Sequence, residues 1–307
     1  MIYIQTIHSI THQNSFNQEN VWNVIGPLQK DSLVVAPDYK NFIPLASLRR
    51  LSPILRMALT AAKACQASIS EEIDAISVGT ALGCLTDTEK FLVTFHNATG
   101  DAISPTSFIQ STHNTIAGLI SLDLKNHSYN MTHTQNSLSF ETAMMDAIMC
   151  CKEGKNHVLL GAADEAIDFL QLLQPLVIDS DLQLTSGATF MILGPENTES
   201  GIGILGLFVD NDVVDIIQTV NYFLQQQGLS LQDIDHFFVS GDDLVRCFPG
   251  ATDYLSYSGF YYSASAFAFH LGHDWLKKEK KNYVLIINEQ VKGKAGIILL
   301  KRDEAQA

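Results

Sequence analysis

Apolar and polar positions along this chain switch between a two-residue and a 3.6-residue period, and the switches mark its elements. Ile2 to Ile10 forms a strand that breaks at His12-Gln13-Asn14, and a short helix follows around Val21 to Ile25. Pro53 to Ala67 is small or apolar on every side, the pattern of a buried helix. Ile73 to Val78 is a strand, Gly79 to Leu85 a glycine loop and Thr86 to Phe95 a helix. Ser104-Pro105-Thr106 then opens another helix, with Ser104 as cap and Pro105 in the first turn. Phe108, Ile109, Ile116, Leu119, Ile120 and Leu122 line its apolar side.

His127 to Thr134 is a strand, and Gln135, Asn136 and Ser137 turn the backbone. A helix follows at once, with Leu138, Phe140, Ala143, Met144, Ala147, Ile148 and Cys151 at helical spacing. Val158 to Ala163 is a buried strand ending in Asp164-Glu165. A strand that runs through a tight turn into a helix aims the turn residue at free helix N–H groups, a placement suited to nucleophiles. The later sequence repeats the plan. Strands are expected over Thr189 to Leu193, Ile202 to Val209, Asp233 to Val239, Tyr283 to Asn288 and Ala295 to Leu300, and helices over Asp215 to Gln227 and Ser263 to Leu276. Strands alternating with helices give an α/β architecture of two similar halves.

Composition narrows the function classes. The 307 residues are 46% hydrophobic and carry a net charge of −14, which disfavours nucleic acid and anionic membrane as partners. No apolar run approaches the length of a membrane span. Cys65, Cys84, Cys150, Cys151 and Cys247 form no CxxC pair, and the start lacks a basic and apolar leader, so reduced thiols in the cytoplasm are expected. The glycine loop lacks the Lys-Ser/Thr ending of a P-loop and the third glycine of a dinucleotide fingerprint, which excludes nucleotide binding. No cofactor and no metal are implied.

The combination of Leu48-Arg49-Arg50-Leu51-Ser52 before a small apolar helix, the loop Gly79-Thr80-Ala81-Leu82-Gly83-Cys84-Leu85, Asn114 to Gly118, the strand-turn-helix and Val158 to Glu165 resembles the β-ketoacyl synthase family. That resemblance implies a thiolase-like five-layered αβαβα fold with two pseudo-repeated halves, residues 1–170 and a shortened 171–307. It also implies where catalysis should sit, and there the sequence departs from the family. The nucleophilic cysteine position falls on Ser137 by ungapped counting from Glu165, or on Asn136 or Gln135 with a small shift. The first histidine position is Ser240. The lysine position is Leu255 and the second histidine position is Phe260. The family's glycine-rich N-x-F-G-F-G-G becomes Asn288 to Gly293, without its aromatics.

A thioester needs a thiolate to form and leave, and a malonyl-derived carbanion needs donors to stabilise it. Leu255 and Phe260 offer neither proton nor hydrogen bond. The expectation is a catalytically silent homologue resembling the chain-length factors, close to those of aryl-polyene and flexirubin-type pigment synthesis. Such a subunit pairs with an active ketoacyl synthase as a heterodimer and meets the acyl carrier protein only indirectly, since an acidic surface repels an acidic carrier. In this frame Phe108, Phe140, Phe260, Tyr261 and Tyr262 are acyl-tunnel candidates, or else ordinary core. Tyr129, Asn130, Met131 and Thr132 are interface candidates. Arg49 and Arg50 are expected to pair with carboxylates within the subunit or its dimer, and Lys277-Lys278-Glu279-Lys280-Lys281 to be a solvated helix end. Two other readings stay open. One is a residual acyltransferase or malonyl decarboxylase at Ser137, which needs His133 or His113 within hydrogen-bond reach. The other is a homodimeric acyl-binding scaffold.

Overall fold

The computed structural model describes residues 1–98, 105–177, 182–197 and 200–303. Its strands are β1 (Ile2–Ile10), β2 (Ala75–Gly79), β3 (Tyr129–His133), β4 (Val158–Asp164), β5 (Gly187–Gly194), β6 (Ile202–Asp210), β7 (His236–Val239), β8 (Thr252–Asp253), β9 (Tyr283–Val291) and β10 (Lys294–Arg302). The α-helices are α1 (Leu45–Leu48), α2 (Pro53–Ala67), α3 (Leu85–Asn97), α4 (Pro105–Gln110), α5 (Thr115–Leu124), α6 (Ser139–Lys152), α7 (Asp168–Val177), α8 (Ile216–Gln226), α9 (Asp242–Cys247), α10 (Leu255–Ser258) and α11 (Ser265–Glu279).

The strands run in the order β3-β2-β4-β5-β1-β6-β10-β9-β7-β8. In the first five, β2 is parallel to β3 and β4, while β5 is antiparallel to β4 and β1. The second five repeat this: β7 is parallel to β8 and β9, while β10 is antiparallel to β9 and β6. The two sets of strands join where Ile2 pairs with Ile204 and Tyr3 with Gly203. The repeat turns over between Gly194 and Ile202, so β5 is a strand of the first half although it lies beyond residue 170.

Side-chain alternation along the strands builds the layers. On β4 and β5, Leu159, Ala163, Phe190 and Ile192 face a core with α2 and α5, while Leu160, Ala162, Met191 and Leu193 face α6 and α11. On β10, Ile297 and Leu299 pack with Val220, Phe223 and Leu224 of α8, while Ile298 and Leu300 turn to α6 and α11. Two inner helices between two sheet layers, with helices outside each, make the five αβαβα layers implied by the resemblance.

Sequence and structure differ at several elements. The helix expected from Ser104 is two, α4 and α5, because hydroxyls of Ser111, Thr112 and Thr115 take up carbonyls at the break. Ser104 itself lies outside the described residues. The strand expected from Asp233 starts only at His236, since Ser230 and Asp233 form a capping box on a 3-10 turn over Leu231–Asp233. The helix expected near Val21 is a three-residue 3-10 turn, Val21–Asn23. Arg49 and Arg50 are exposed, and among the described residues neither has a carboxylate partner within the subunit. Lys277 to Lys281 is a helix end, with Lys280 left-handed and Arg302 donating to the carbonyls of Lys280 and Lys281. Among the described residues no helix is long and apolar enough to cross a membrane.

Candidate functional site

The β3–α6 connection is an elbow built on side-chain hydrogen bonds. Asn136 has φ +54°, and Asn136–Leu138 forms a 3-10 turn leading into α6. Asparagine tolerates this left-handed backbone better than most residues. The Ser139 hydroxyl accepts from the Gln135 N–H at 2.9 Å and donates to the Asn136 carbonyl at 2.7 Å. The Ser137 N–H donates to Asn136 Oδ1 at 2.7 Å. β2 approaches this turn so closely that a Cβ on Gly79 would strike the Ser139 carbonyl.

The three alternatives for the nucleophile position therefore part. Asn136 stands at the apex and is exposed. Gln135, also exposed, donates to Asn211 Oδ1 at 3.3 Å, tying the elbow to the end of β6. Ser137 is fully buried, and among the described residues its Oγ has no hydrogen-bond partner. His133 Nε2 lies 3.1 Å from Asp146 Oδ2 and His113 packs against Gly83, and neither is hydrogen-bonded to Ser137 Oγ.

Ser240, Leu255 and Phe260 lie on separate segments of the second half. Ser240, at the end of β7, accepts from the Glu289 N–H at 2.7 Å. Leu255 opens α10 and is buried. Phe260 is buried too, and its backbone joins Gln183 and Thr185 through two hydrogen bonds. Gly259 permits that join: its φ is +69°, and a Cβ there would collide with the Thr185 side group. A linkage that the sequence signalled only weakly crosses the site. Asn288 Nδ2 donates to the Ser137 carbonyl and to Glu141 Oε1, each at 2.8 Å, and Tyr254 OH donates to Asn288 Oδ1 at 3.2 Å. Burial pushes the Glu141 carboxyl up to about 7, against the stabilising Asn288 amide and Ser265 hydroxyl. The available signal was a lone glutamate four residues after Ser137 inside an apolar helix.

The glycine loop is clamped rather than open to a ligand. Asp164 Oδ1 accepts from the Thr80 hydroxyl and the N–H groups of Ala81 and Leu82 at 2.9–3.1 Å, and Oδ2 accepts from the Ser263 N–H at 3.1 Å. Glu165 accepts from the Thr86 N–H and hydroxyl, and burial raises its carboxyl to about 7. Burial also pushes the Cys84 thiol up, with the carboxylates of Glu165, Asp87 and Asp164 adding to the shift.

Of the tunnel candidates, Phe260, Tyr261 and Tyr262 line one cleft with Leu82, Leu170 and Leu184, too narrow for more than about one water. Phe140 lies apart, in the inner core against Phe269, and Phe108 is exposed on α4 beside Phe91. Of the interface candidates on β3, Tyr129 and Met131 are exposed, while Asn130 donates to the Ala117 carbonyl. β3 ends the sheet, so among the described residues its outer edge is unpaired. Among the described residues no group of three or more His, Cys, Asp or Glu is placed to hold a metal ion.

A buried network went unread in the sequence. Ser9 Oγ bonds His270 Nδ1 at 2.8 Å, His270 Nε2 lies 3.6 Å from Asp274 Oδ2, and Asp274 also accepts from His273 and the Val21 N–H. The order Ser-His-Asp is that of a hydrolase, but all three are buried in the inner layer without access for substrate.

The model of the β-ketoacyl synthase N-terminal domain matches residues 27–176. No curated protein matches by sequence. Among solved structures, the ishigamide ketosynthase/chain length factor superposes with TM-score 0.79 at 12% identity, over 99% of both chains. A type II polyketide synthase ketosynthase in complex with its acyl-carrier protein gives TM-score 0.75 at 14% identity, over 98% of this protein and 99% of that one. The ketosynthase in complex with its chain length factor from Xenorhabdus doucetiae gives 0.63 at 16%, over 98% and 99%. At these identities the likeness is one of fold.

Proposed function

We propose that this protein, a member of the β-ketoacyl synthase family through its residues 27–176, is the non-condensing partner of an active synthase, a chain-length-factor-like subunit in polyketide- or fatty-acid-type biosynthesis. One observation carries the reading. The elbow that should present a thiolate is formed in full, yet its apex is Asn136, the serine beside it has no hydrogen-bonded base among the described residues, and Leu255 and Phe260 fill the lysine and histidine positions with buried hydrocarbon. In this reading the synthase scaffold offers, among the described residues, no thiolate at the elbow to hold an acyl thioester and no paired imidazoles to stabilise a carbanion.

The exposed surface supports a partner. α6 is an inner-layer helix, yet Met145 and Met149 are 45% and 50% exposed beside the free edge of β3, where Tyr129 and Met131 are exposed too. An unpaired strand edge flanked by apolar side groups is a surface made for another polypeptide. The partner this fits is a synthase of the same fold with an intact cysteine and two histidines. The carrier then meets that partner, and a polyene-type product is the substrate class the resemblance favours.

Co-purification with the intact synthase encoded nearby, followed by condensation assays with and without this protein, tests the reading. A one-to-one complex whose product appears or changes length only when both subunits are present supports it. A stable homodimer that turns over malonyl or acyl carrier substrates alone overturns it.

A further inference from the structure

Methionine is unevenly placed in this molecule. Of the seven, Met57, Met144 and Met191 are buried, and Met1 is exposed against Gly203, where β1 meets β6. The other three, Met131, Met145 and Met149, are 43%, 45% and 50% exposed, and all lie on β3 or α6. On β3, Met131 stands between Tyr129 and His133, the two side chains that reach Asp146 of α6 at 2.8 and 3.1 Å. Strand alternation puts Met131 on that same face. Met145 precedes Asp146, and Met149 follows Met145 by one helical turn. Met144 and Met145 are chain neighbours with opposite surroundings, one in the inner core and one in solvent.

We propose that Met131, Met145 and Met149 form an oxidation-sensitive patch: hydrogen peroxide converts their exposed thioethers to sulfoxides, and the sulfoxides close this edge to a partner polypeptide. The closing effect rests on the pairing proposed above. In each conversion a sulfur lone pair attacks one peroxide oxygen, and the S–O bond forms as the O–O bond breaks. The departing hydroxide takes the proton of the transferred oxygen and leaves as water. Sulfur is oxidised by two electrons and the peroxide is reduced.

The chemistry of the side chain gives the patch its consequence. A thioether is flexible and apolar, and so adapts to an apolar partner surface. A sulfoxide is polar and must keep a hydrogen-bond donor or water. Burying one without a donor weakens pairing by about tenfold. The three buried methionines serve as internal controls for the rate, and Met1 as an exposed control away from the patch.

The test treats the purified full-length protein with dilute hydrogen peroxide and follows oxygen gain on each methionine by peptide mass spectrometry. Pairing with the intact synthase encoded nearby is then measured. Met131, Met145 and Met149 should convert about an order of magnitude faster than Met57, Met144 and Met191 in the folded protein, and these rates should converge in urea. The treated protein should pair about tenfold more weakly, and methionine sulfoxide reductases A and B should restore pairing. In the complex the three should be protected while Met1 is not. The triple variant Met131→Leu, Met145→Leu, Met149→Leu keeps apolar bulk and should pair as the parent does, before and after peroxide. Equal conversion of the buried methionines, undiminished pairing of the treated parent, or loss of pairing by the treated leucine variant would overturn the proposal. Failure of the untreated protein to pair sinks the pairing and with it the closing effect, while the oxidation site still stands or falls on the rates in the lone subunit.

Discussion

Asn288 and Glu141 join the two halves of the molecule across the inner layer: the amide on β9 donates to the α6 carboxyl at 2.8 Å. The same nitrogen donates to the Ser137 carbonyl, so one residue of the second half fixes both the helix and the elbow of the first. α6 also approaches β10 closely, since a Cβ on Gly296 would run into the Glu141 side group. The elbow and α6 are thus tied to the second half by a structural joint.

Replacing Asn288 with leucine would leave the Ser137 carbonyl and Glu141 Oε1 without their donor. A buried acceptor left unmatched costs about 1–3 kcal/mol. Urea unfolding should show a loss in that range, with the m-value unchanged. A loss below a few tenths of a kcal/mol would mean that water replaces the amide at no cost.

Stability against pH separates two buried groups with opposite signs. Glu141 sits near 7 in the folded protein, above its ordinary 4.5, so the folded state binds the extra proton and stability falls as pH rises between those values. His270 is lowered from 6.5 to about 4, first by burial, so the unfolded state binds the extra proton and stability falls as pH drops through that range. Between about 4.5 and 6.5 the two slopes oppose each other, each up to about 1.4 kcal/mol per pH unit. Glu141→Gln should therefore expose a net rise of stability with pH relative to the parent protein, and His270→Gln a net fall. Denaturation midpoints at three pH values measure both. Parallel profiles for parent and Glu141→Gln would show that Glu141 is ionised throughout.

Much of the architecture was legible in the sequence, and the legible part follows from periodicity. α2 spans the residues expected of it, because its apolar surround and Pro53 start leave few alternatives. The αβαβα order followed from the resemblance, carried by Gly79 to Leu85 and Val158 to Glu165. Contacts between distant segments were not legible. Asn136 differs from its neighbours Gln135 and Ser137 in its left-handed backbone, and no residue count fixes a φ of +54°. Asn288 to Glu141 and Ser9 to His270 span 147 and 261 residues, so no local pattern announces them. α7 was missed because Phe169, Leu172 and Leu176 give it an apolar stripe that is exposed rather than buried.

The free edge of β3 predicts which residues control assembly. Met131 and Met145 are exposed on adjacent elements, so Met131→Asp and Met145→Asp should each abolish co-purification with a synthase partner while leaving the melting temperature of the lone subunit within a degree or two. Leu172→Asp, on the exposed face of α7, is the comparison and should not affect assembly. If Leu172→Asp alone abolishes association, the partner surface lies over α7 instead.

Restoring a thiol separates the geometry of the elbow from its chemistry. Asn136→Cys places sulfur at the exposed apex by the N-terminus of α6, which favours the thiolate and should give fast alkylation by iodoacetamide. Ser137→Cys buries the sulfur, and its alkylation should be slower by an order of magnitude or more. Neither variant should condense malonyl and acyl carrier substrates, since Leu255 and Phe260 supply no donor for the carbanion. Condensation by Asn136→Cys alone would show that donors elsewhere in the cleft suffice. Faster alkylation of Ser137→Cys than of Asn136→Cys would move the nucleophile position back to residue 137.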